Sequence, residues 1–195
     1  MDLSTFCTCI RDLPTLKEPF SQGNYTYASN GHMIIRVPFR PDIPEKKPDN
    51  LQLENLVFLN REEYTTEFPK YKTEKKKCSW CRGSGRTQIC QECDGDGYVE
   101  LENDFNQYSA ECKTCRGEGE TPGGPEKCSN CDGTGQAYVD KYDHVDIGDV
   151  RLGKKLLDKI KDLPGVRLGP VDGAERQQVA FCFDGGDGIL MTMMK

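Results

Sequence analysis

Four copies of one motif, CxxCxGxG, occupy residues 78–135: CSWCRGSG from Cys78, CQECDGDG from Cys90, CKTCRGEG from Cys112 and CSNCDGTG from Cys128. This stretch decides how the rest of the chain is interpreted. Eight of the eleven cysteines lie in it, and the spacing within every copy is the same. The eight thiols therefore form four equivalent pairs.

Each cysteine pair predicts half of a metal site. Two residues between the cysteines make a tight turn that brings both thiolates to one ion, and two pairs complete a four-cysteine zinc site. A closed site has no position for a reactive water, so it is structural rather than catalytic. The glycines are expected to let the backbone fold close to the sulfur atoms and to donate amide N–H groups to them. Eight thiolates predict two zinc ions per chain.

Three other uses of paired cysteines fit the sequence less well. A disulfide framework needs an oxidising compartment. Thioredoxin-like CxxC motifs occur in a βαβ context and not in four copies. Iron–sulfur clusters also use four cysteines, but the paired spacing favours single ions. Zinc is therefore the predicted metal.

The four CxxCxGxG copies resemble the cysteine-rich central domain of DnaJ-type co-chaperones. The gaps between copies are similar to those of that family, although the first gap is shorter. Spacing alone permits three ways of combining the four pairs, and the resemblance implies the nested one. The implied ligands are Cys78, Cys81, Cys128 and Cys131 for one zinc, and Cys90, Cys93, Cys112 and Cys115 for the other. The resemblance covers about a third of the chain.

Composition limits the other possibilities. The chain has 195 residues, 35% hydrophobic and 30% charged, with a net charge of −6. An acidic chain is a poor non-specific ligand for nucleic acid, and the lysines of residues 70–77 are interpreted as a solvated linker. No signal peptide and no membrane-spanning run are evident. Zinc-bound reduced thiols are typical of the cytosol, so a cytoplasmic location is expected.

The segment before the repeats predicts a helix and then strands. Apolar residues at helical spacing predict a short helix over residues 2–12. Residues 24–37 predict a hairpin with its turn at Asn30-Gly31. The proline-rich residues 38–50 predict an irregular loop, and residues 51–59 predict a further strand.

The segment after the repeats predicts a strand, a helix and three more strands. Residues 137–147 alternate weakly and predict a strand. Residues 149–163 predict the clearest helix, because their apolar residues share one face. The further predicted strands cover residues 166–168, 178–183 and 189–193, with a hairpin turn over 184–188.

Neither flank has a complete set of elements. We therefore expect residues 1–69 and 138–195 to form one α+β domain, with residues 70–137 inserted as a DnaJ-type two-zinc β-hairpin module. The order of elements in the flanks is similar to the βαβββ half-units of DNA sliding clamps. Residues 27–32 and 190–193 resemble clamp strand edges. One such domain closes a ring only by oligomerising.

The remaining cysteines and both histidines are not predicted to form a site. Cys7 and Cys182 are expected to be buried packing residues. Cys9, His32 and His144 are expected near the surface, and none lies in a nucleophile or metalloprotease pattern. We therefore expect no enzymatic activity.

The main functional hypothesis is a zinc-binding, non-catalytic protein-interaction protein, either chaperone-like or a scaffold. It would bind a protein partner or an unfolded polypeptide. The sequence has no His-Pro-Asp tripeptide and no J-domain helices, so stimulation of an ATPase chaperone is not expected. The candidate contacts are the apolar residues between the second and third copies: Tyr98, Val99, Leu101, Phe105 and Tyr108.

Two alternatives belong to other classes of protein. A nucleic-acid or replication accessory would use the clamp-like flanks, the lysines of residues 70–77 and three arginines of the module, Arg82, Arg86 and Arg116. A thiol–disulfide redox protein would use thiols released from zinc. The sequence predicts no membrane partner and leaves the oligomeric state open.

Overall fold

The computed structural model describes residues 1–7, 16–46, 51–140, 142–172 and 177–193. Tertiary contacts divide the chain into two compact units. Met1–Thr73 together with Asp140–Lys195 form the flanking unit, and Glu74–Val139 form the zinc module. The module thus begins four residues later and ends two residues later than the expected insertion, residues 70–137.

Sixteen strands and one α-helix are present in the part of the chain that the structure describes. Strands β1–β4 cover Phe20–Gln22, Tyr25–Ser29, Met33–Pro38 and Thr66–Glu67. Strands β5–β11 cover Lys75–Lys77, Arg86–Ile89, Tyr98–Glu102, Gln107–Glu111, Glu120–Pro122, Glu126–Lys127 and Gln136–Tyr138. Strands β12–β16 cover His144–Ile147, Val150–Gly153, Arg167–Leu168, Gln178–Phe183 and Gly186–Met191, and helix α1 covers Lys154–Ile160. The described residues are thus mostly β with one helix, which agrees with the α+β prediction in part.

The flanking unit is built on one antiparallel sheet with the order β1-β2-β3-β16-β15-β14-β4. In the middle of the sheet β3 pairs with β16, so strands from opposite ends of the chain are neighbours there. The edge strand β4 also pairs across the ends, with β14. Strands from before and after the zinc module therefore share one ladder of backbone hydrogen bonds.

Both faces of this sheet are covered by apolar residues. On one face, α1, the β12–β13 hairpin and the 3₁₀ turn Leu3–Phe6 pack against the sheet. The buried side chains there include Leu3, Phe6, Ile35, Leu152, Leu157, Ile160, Phe181 and Leu190. On the other face, Leu51, Leu53, Leu56 and Phe58 pack against Phe20, Tyr27, Ile34 and Ile189.

The predicted strand over residues 51–59 is wrong. This segment contains the 3₁₀ turn Leu53–Asn55 and forms no ladder pairs. Its apolar side chains cover the second face of the sheet, and this role needs no strand pairing. Its lack of strict alternation was the sequence signal against a strand.

The predicted helix over residues 149–163 is correct only over Lys154–Ile160. Val150–Gly153 form β13, which pairs with β12 across a two-residue turn, Gly148-Asp149. Gly148 has a φ of +55°, a conformation that glycine adopts readily. Val150 and Leu152 are both buried, which is the period of a strand, and the helix begins only at Lys154.

The predicted 24–37 hairpin is confirmed as β2 and β3, although its turn is centred one residue later, on Gly31-His32. The Asn30 Oδ1 atom accepts hydrogen bonds from the backbone N–H groups of His32 and Met33. The single strand predicted over 137–147 is two strands, β11 and β12, which lie in different units.

The short strand predicted over residues 166–168 and the strand over 178–183 are confirmed as β14 and β15. The final strand, β16, begins at Gly186 rather than at residue 189, so the turn is only Asp184-Gly185. A Cβ atom at Gly186 or Gly188 would collide with the ring of Phe183 or Phe181. Glycines that suggested a loop therefore make room for core aromatics.

The predicted helix over residues 2–12 is described only at its start, as the 3₁₀ turn Leu3–Phe6, and its remainder lies outside the described residues. None of the helices in the described ranges has the length and apolar character needed to cross a membrane.

Candidate metal centres

Each CxxCxGxG copy folds into the same tight turn. The residue after the second cysteine adopts the left-handed conformation in all four copies, with φ from +49° to +56°. Both glycines that follow also have positive φ. The four residues that follow the second cysteine are Arg82, Asp94, Arg116 and Asp132. The motif predicts this conformation for the glycines alone, although aspartate at two of these four positions was a signal, since Asp tolerates positive φ better than most residues.

The structure gathers the eight sulfur atoms into two groups. The Cys78 group comprises Cys78, Cys81, Cys128 and Cys131, and the Cys90 group comprises Cys90, Cys93, Cys112 and Cys115. Within each group the sulfur atoms all lie within 4.8 Å of one another, and all eight cysteines are buried. The outer two copies of the motif thus meet each other, as do the inner two, which is the nested arrangement that the resemblance implies.

The sulfur separations fit tetrahedral zinc. The Sγ atoms of Cys78 and Cys128 are 3.8 Å apart, and those of Cys81 and Cys131 are 3.7 Å apart. The corresponding distances in the Cys90 group are 3.8 and 3.6 Å. A tetrahedron with Zn–S bonds of about 2.3 Å has sulfur atoms about 3.8 Å apart, whereas a disulfide bond is about 2.0 Å long. Each group therefore fits one zinc ion, and the chain has the ligands for two.

Backbone contacts between partner copies hold each group together. The N–H of Cys78 donates to the Gly135 carbonyl at 2.9 Å, and the N–H of Cys128 donates to the Gly85 carbonyl at 3.0 Å. The Cys90 group repeats this exchange, with Cys90 donating to Gly119 and Cys112 donating to Gly97. The second glycine of each copy also lies against the first glycine of its partner copy, so a Cβ atom there would strike a carbonyl oxygen.

Amide groups also stabilise the thiolates, as the motif predicts. The N–H of the second glycine in each copy donates to the sulfur of the second cysteine, at 3.2–3.3 Å. The Cys78 group has one further donor, because Asn130 Nδ2 lies 3.4 Å from Cys78 Sγ. Such hydrogen bonds spread the negative charge of a four-thiolate site.

The thiols of one group have opposed acidities. In the Cys90 group, burial raises the pKa of Cys115 to about 12. The backbone N–H of Cys115 lowers the pKa of Cys112 to about 7. Four thiolates in one buried group repel each other, so full ionisation requires a bound cation. Binding of zinc therefore displaces protons and becomes weaker as the pH falls.

The two groups differ in what surrounds them. Trp80 and Ala137 pack against the Cys78 group, beside the β5–β11 pair. The Cys90 group is contacted by Val99 of β7, the first strand of the β7–β8 hairpin. The lysines of residues 75–77 belong to β5, so this part of the predicted linker is a strand of the module. Lys75 Nζ lies 4.8 Å from the ring centroid of Tyr138.

The other candidate residues join neither group. Cys7 and Cys182 are buried in the flanking unit, as expected. His32 is exposed at the β2–β3 turn, and His144 is half-buried at the start of β12. Cys9 lies outside the described residues. In the described ranges, the two cysteine groups are the only clusters suited to a metal ion.

Comparison with known proteins finds a relative for part of the chain. The chaperone protein DnaJ of Maridesulfovibrio salexigens is 35% identical over 75 residues. The matched stretch covers 36% of this chain and only 19% of that relative. No family model matches the chain, and no solved structure matches it.

The similarity and the two four-cysteine groups together identify residues 78–135 as a DnaJ-type cysteine-rich zinc-binding domain. The predicted resemblance to the DnaJ-type cysteine-rich domain is thereby confirmed for the module. The comparison with sliding clamps concerns the flanking unit alone and stays a prediction.

Proposed function

We propose that this chain is a non-catalytic, zinc-dependent interaction protein that binds an extended or unfolded polypeptide through the β7–β8 hairpin. The observation that carries this proposal is an exposed apolar surface on one side of the hairpin. We call this surface the apolar hairpin face, and it consists of Val99, Leu101, Tyr108 and Ala110.

The strand register defines this face. Val99 lies opposite Ala110, and Leu101 lies opposite Tyr108. Because directly opposed side chains point to the same side of an antiparallel pair, these four residues share one face. The other face carries mostly polar residues, namely Tyr98, Glu100, Glu102, Gln107, Ser109 and Glu111.

The apolar hairpin face is open to solvent except at Val99, which is half-buried against the Cys90 group. Leu101 and Tyr108 are 56% and 54% exposed, and Phe105 at the hairpin tip is 90% exposed. A two-stranded hairpin is marginally stable alone, and exposed apolar clusters on a surface commonly mark binding sites. An apolar segment of another polypeptide would cover these side chains.

The Cys90 group determines where the hairpin lies in the module. Strand β7 begins directly after Gly97, and β8 ends directly before Cys112. The N–H of Cys112 donates to the Gly97 carbonyl at 2.8 Å, and Val99 packs against the cluster of four cysteines. Zinc at this group would therefore fix both ends of the hairpin, while the closed set of four thiolates would leave no position for catalysis.

Similarity to the zinc-binding part of a DnaJ chaperone supports a chaperone-related role. Neither histidine of this sequence is followed by Pro-Asp, so we do not propose that the chain stimulates an ATPase chaperone. Zinc-bound reduced thiols favour the cytoplasm as its location.

Two tyrosines allow a matched test of the apolar face. Tyr98 and Tyr108 are each 54% exposed but lie on opposite faces of the hairpin. The probe is a reduced, carboxymethylated unfolded protein, and its binding is followed by fluorescence anisotropy. Tyr108→Ser should weaken binding about tenfold, whereas Tyr98→Ser should change it less than twofold, because only Tyr108 belongs to the apolar face. Equal effects, or no binding by the unchanged protein, would contradict the proposal.

Nucleic-acid binding is a second candidate because of strand β5. Its three lysines, Lys75–Lys77, are all exposed. Phosphate contacts weaken steeply with salt, so a DNA complex that weakens with added salt and is lost when these lysines become alanine would favour this candidate. The thiol–disulfide alternative stays a prediction, and reduction of insulin by the zinc-free protein would support it.

A further inference from the structure

We propose that the bound polypeptide adds as a third strand to the outer edge of β7, and that its residues alternate between basic and apolar side chains. This inference rests on the proposed function and names the kind of segment that the hairpin would accept. Three observations carry it: the open edge of β7, the acidic residues along that edge, and the separation of polar and apolar residues between the two faces.

The outer edge of β7 has its backbone groups available. Within the described ranges, β7 pairs with β8 alone. The hydrogen bonds from Asn103 N–H to Asn106 O and from Cys112 N–H to Gly97 O establish the phase of the ladder. Because hydrogen-bonded positions alternate along antiparallel strands, Val99 and Leu101 direct their N–H and C=O groups toward β8. The N–H and C=O groups of Tyr98, Glu100 and Glu102 therefore point outward, away from β8.

This edge is also strongly acidic. Residues 89–120 contain nine acidic and two basic side chains, whereas residues 74–88 and 121–139 contain three acidic and six basic ones. Four thiolates outweigh the charge of one zinc ion, so the half of the module with the Cys90 group is more negative still. Glu100 and Glu102 lie on β7 itself and are exposed. Opposite charges across neighbouring strands stabilise pairing, so Lys or Arg is favoured in the added strand.

The two faces of the hairpin determine the order of residues in the added strand. Side chains directly opposite Glu100 and Glu102 would lie on the polar face, and those opposite Val99 and Leu101 would extend the apolar hairpin face. Since successive residues of a strand point to opposite faces, the favoured segment alternates basic and apolar residues. Strand addition of this kind combines backbone hydrogen bonds with side-chain selectivity.

A second copy of this chain fits the edge poorly. Two β7 edges paired with each other would place Glu100 and Glu102 of one copy beside the same glutamates of the other. Like charges in directly opposed positions destabilise strand pairing. The edge therefore favours a different polypeptide.

Three eight-residue peptides separate composition from pattern. The first alternates lysine and valine, the second has glutamate in place of lysine, and the third has four lysines followed by four valines. Each carries a fluorophore, and anisotropy is measured against the zinc-loaded protein. The alternating lysine peptide should bind at least tenfold more tightly than either control, and its affinity should fall as salt is added.

Proline substitutions test the edge itself. Glu100→Pro removes an N–H that points outward and leaves the pairing with β8 intact. Ser109→Pro makes the same change on the outer edge of β8, because Ser109 lies opposite Glu100. We expect Glu100→Pro to weaken the alternating peptide about tenfold and Ser109→Pro to have little effect. The double variant Glu100→Lys with Glu102→Lys should also weaken it about tenfold, and it carries the test if a proline variant loses zinc.

The outcomes distinguish this inference from the proposed function. Equal binding of the alternating and block peptides, or no effect of either change at Glu100, would overturn strand addition. If the unfolded protein still bound and Tyr108→Ser still weakened it, the proposed function would stand without this inference. If neither the unfolded protein nor any peptide bound, both would fail. If the chain associated with itself and Glu100→Pro abolished this association, the choice of a different polypeptide as the partner would also be overturned.

Discussion

The flanking unit and the zinc module are stabilised in different ways within one chain. The flanking unit buries large apolar side chains, among them Phe20, Phe181, Leu157 and Leu190, on both faces of its sheet. Apart from glycines, the buried residues of the module are the eight cysteines, Thr87 and Ala137. The module has no large buried apolar side chain, so burial alone would not hold it together.

This difference shows what metal ligands contribute in a small folded unit. A structural zinc site provides an apparent free energy of about 10–16 kcal/mol, whereas a whole domain is stable by only about 5–15 kcal/mol. The free energy of zinc binding at two such sites can therefore replace the free energy that apolar burial provides in other domains. The module can therefore expose the side chains of β7 and β8, which a conventional domain of that size would need for its core.

The largest predicted effect is the loss of one thiolate ligand. Cys90→Ser should release the zinc of the Cys90 group and remove amide protection from β7 and β8, because that group anchors both ends of the hairpin. The flanking unit should still unfold cooperatively. Zinc analysis and amide hydrogen exchange measure both effects.

Cys182→Ser is the matched control, since it removes a buried thiol that belongs to neither group. This variant should keep two zinc ions. If Cys90→Ser abolished the unfolding transition of the flanking unit as well, the separation between the two units would be incorrect.

The reverse experiment changes the apolar core. Phe181→Ala should destabilise the flanking unit by about 3–5 kcal/mol, the usual cost of removing a buried phenylalanine. Trp80 is the single tryptophan and packs against the Cys78 group, so its fluorescence reports on the module. That fluorescence and the zinc content should not change. Loss of zinc in this variant would show that the module depends on the core of the flanking unit.

A smaller effect is expected from a methyl group between partner copies. Gly85 and Gly123 have similar φ values, +72° and +80°, but a Cβ at Gly85 would strike the Gly133 carbonyl whereas nothing lies within 4 Å at Gly123. Both alanine variants carry the same backbone strain. Gly85→Ala should cost about 1–3 kcal/mol more because of the collision. Competition with a chelator would show weaker zinc retention, and equal retention in both variants would exclude close packing of the glycines.

The smallest effect concerns alkaline pH and the flanking unit. Burial raises the pKa of Tyr64 from 10.0 to about 12, so the folded state holds the phenolic proton more tightly than the unfolded state. The resulting stability is present below pH 10 and is lost as the pH rises toward about 12. Burial also raises the pKa of Tyr27 in the same unit. Tyr64→Phe should reduce the slope of the unfolding free energy against pH between pH 10 and about 12. An unchanged slope would show that other groups cause the loss of stability at alkaline pH.

The cysteine motif carried most of what could be predicted. Its spacing and its glycines follow directly from the geometry of a four-thiolate site, so the two-zinc composition and the thiolate hydrogen bonds were accessible from the sequence. The hairpins predicted over residues 24–37 and 178–193 were found because alternation and turn residues are local signals.

The errors lie where tertiary packing overrides local pattern. Leu51 to Phe58 cover a sheet face without joining a ladder. Their lack of strict alternation argued against a strand, but no local pattern showed that they would cover a sheet. Val150 and Leu152 fitted a helical face and a strand equally well, and only the Gly148-Asp149 turn distinguishes the two. Gly186 and Gly188 suggested a loop, because glycine is common in turns. The phenylalanine rings that require glycine at these positions are visible only in the folded chain.

Native mass spectrometry of freshly purified protein tests the central claim most directly. If bound zinc replaces an apolar core, the mass should correspond to the chain with two zinc ions, and chelation should remove amide protection from the module while sparing β3, β15 and β16. A metal-free mass that shows the eight cysteines joined in disulfide bonds, or a module that keeps its protection after zinc is removed, would contradict the account.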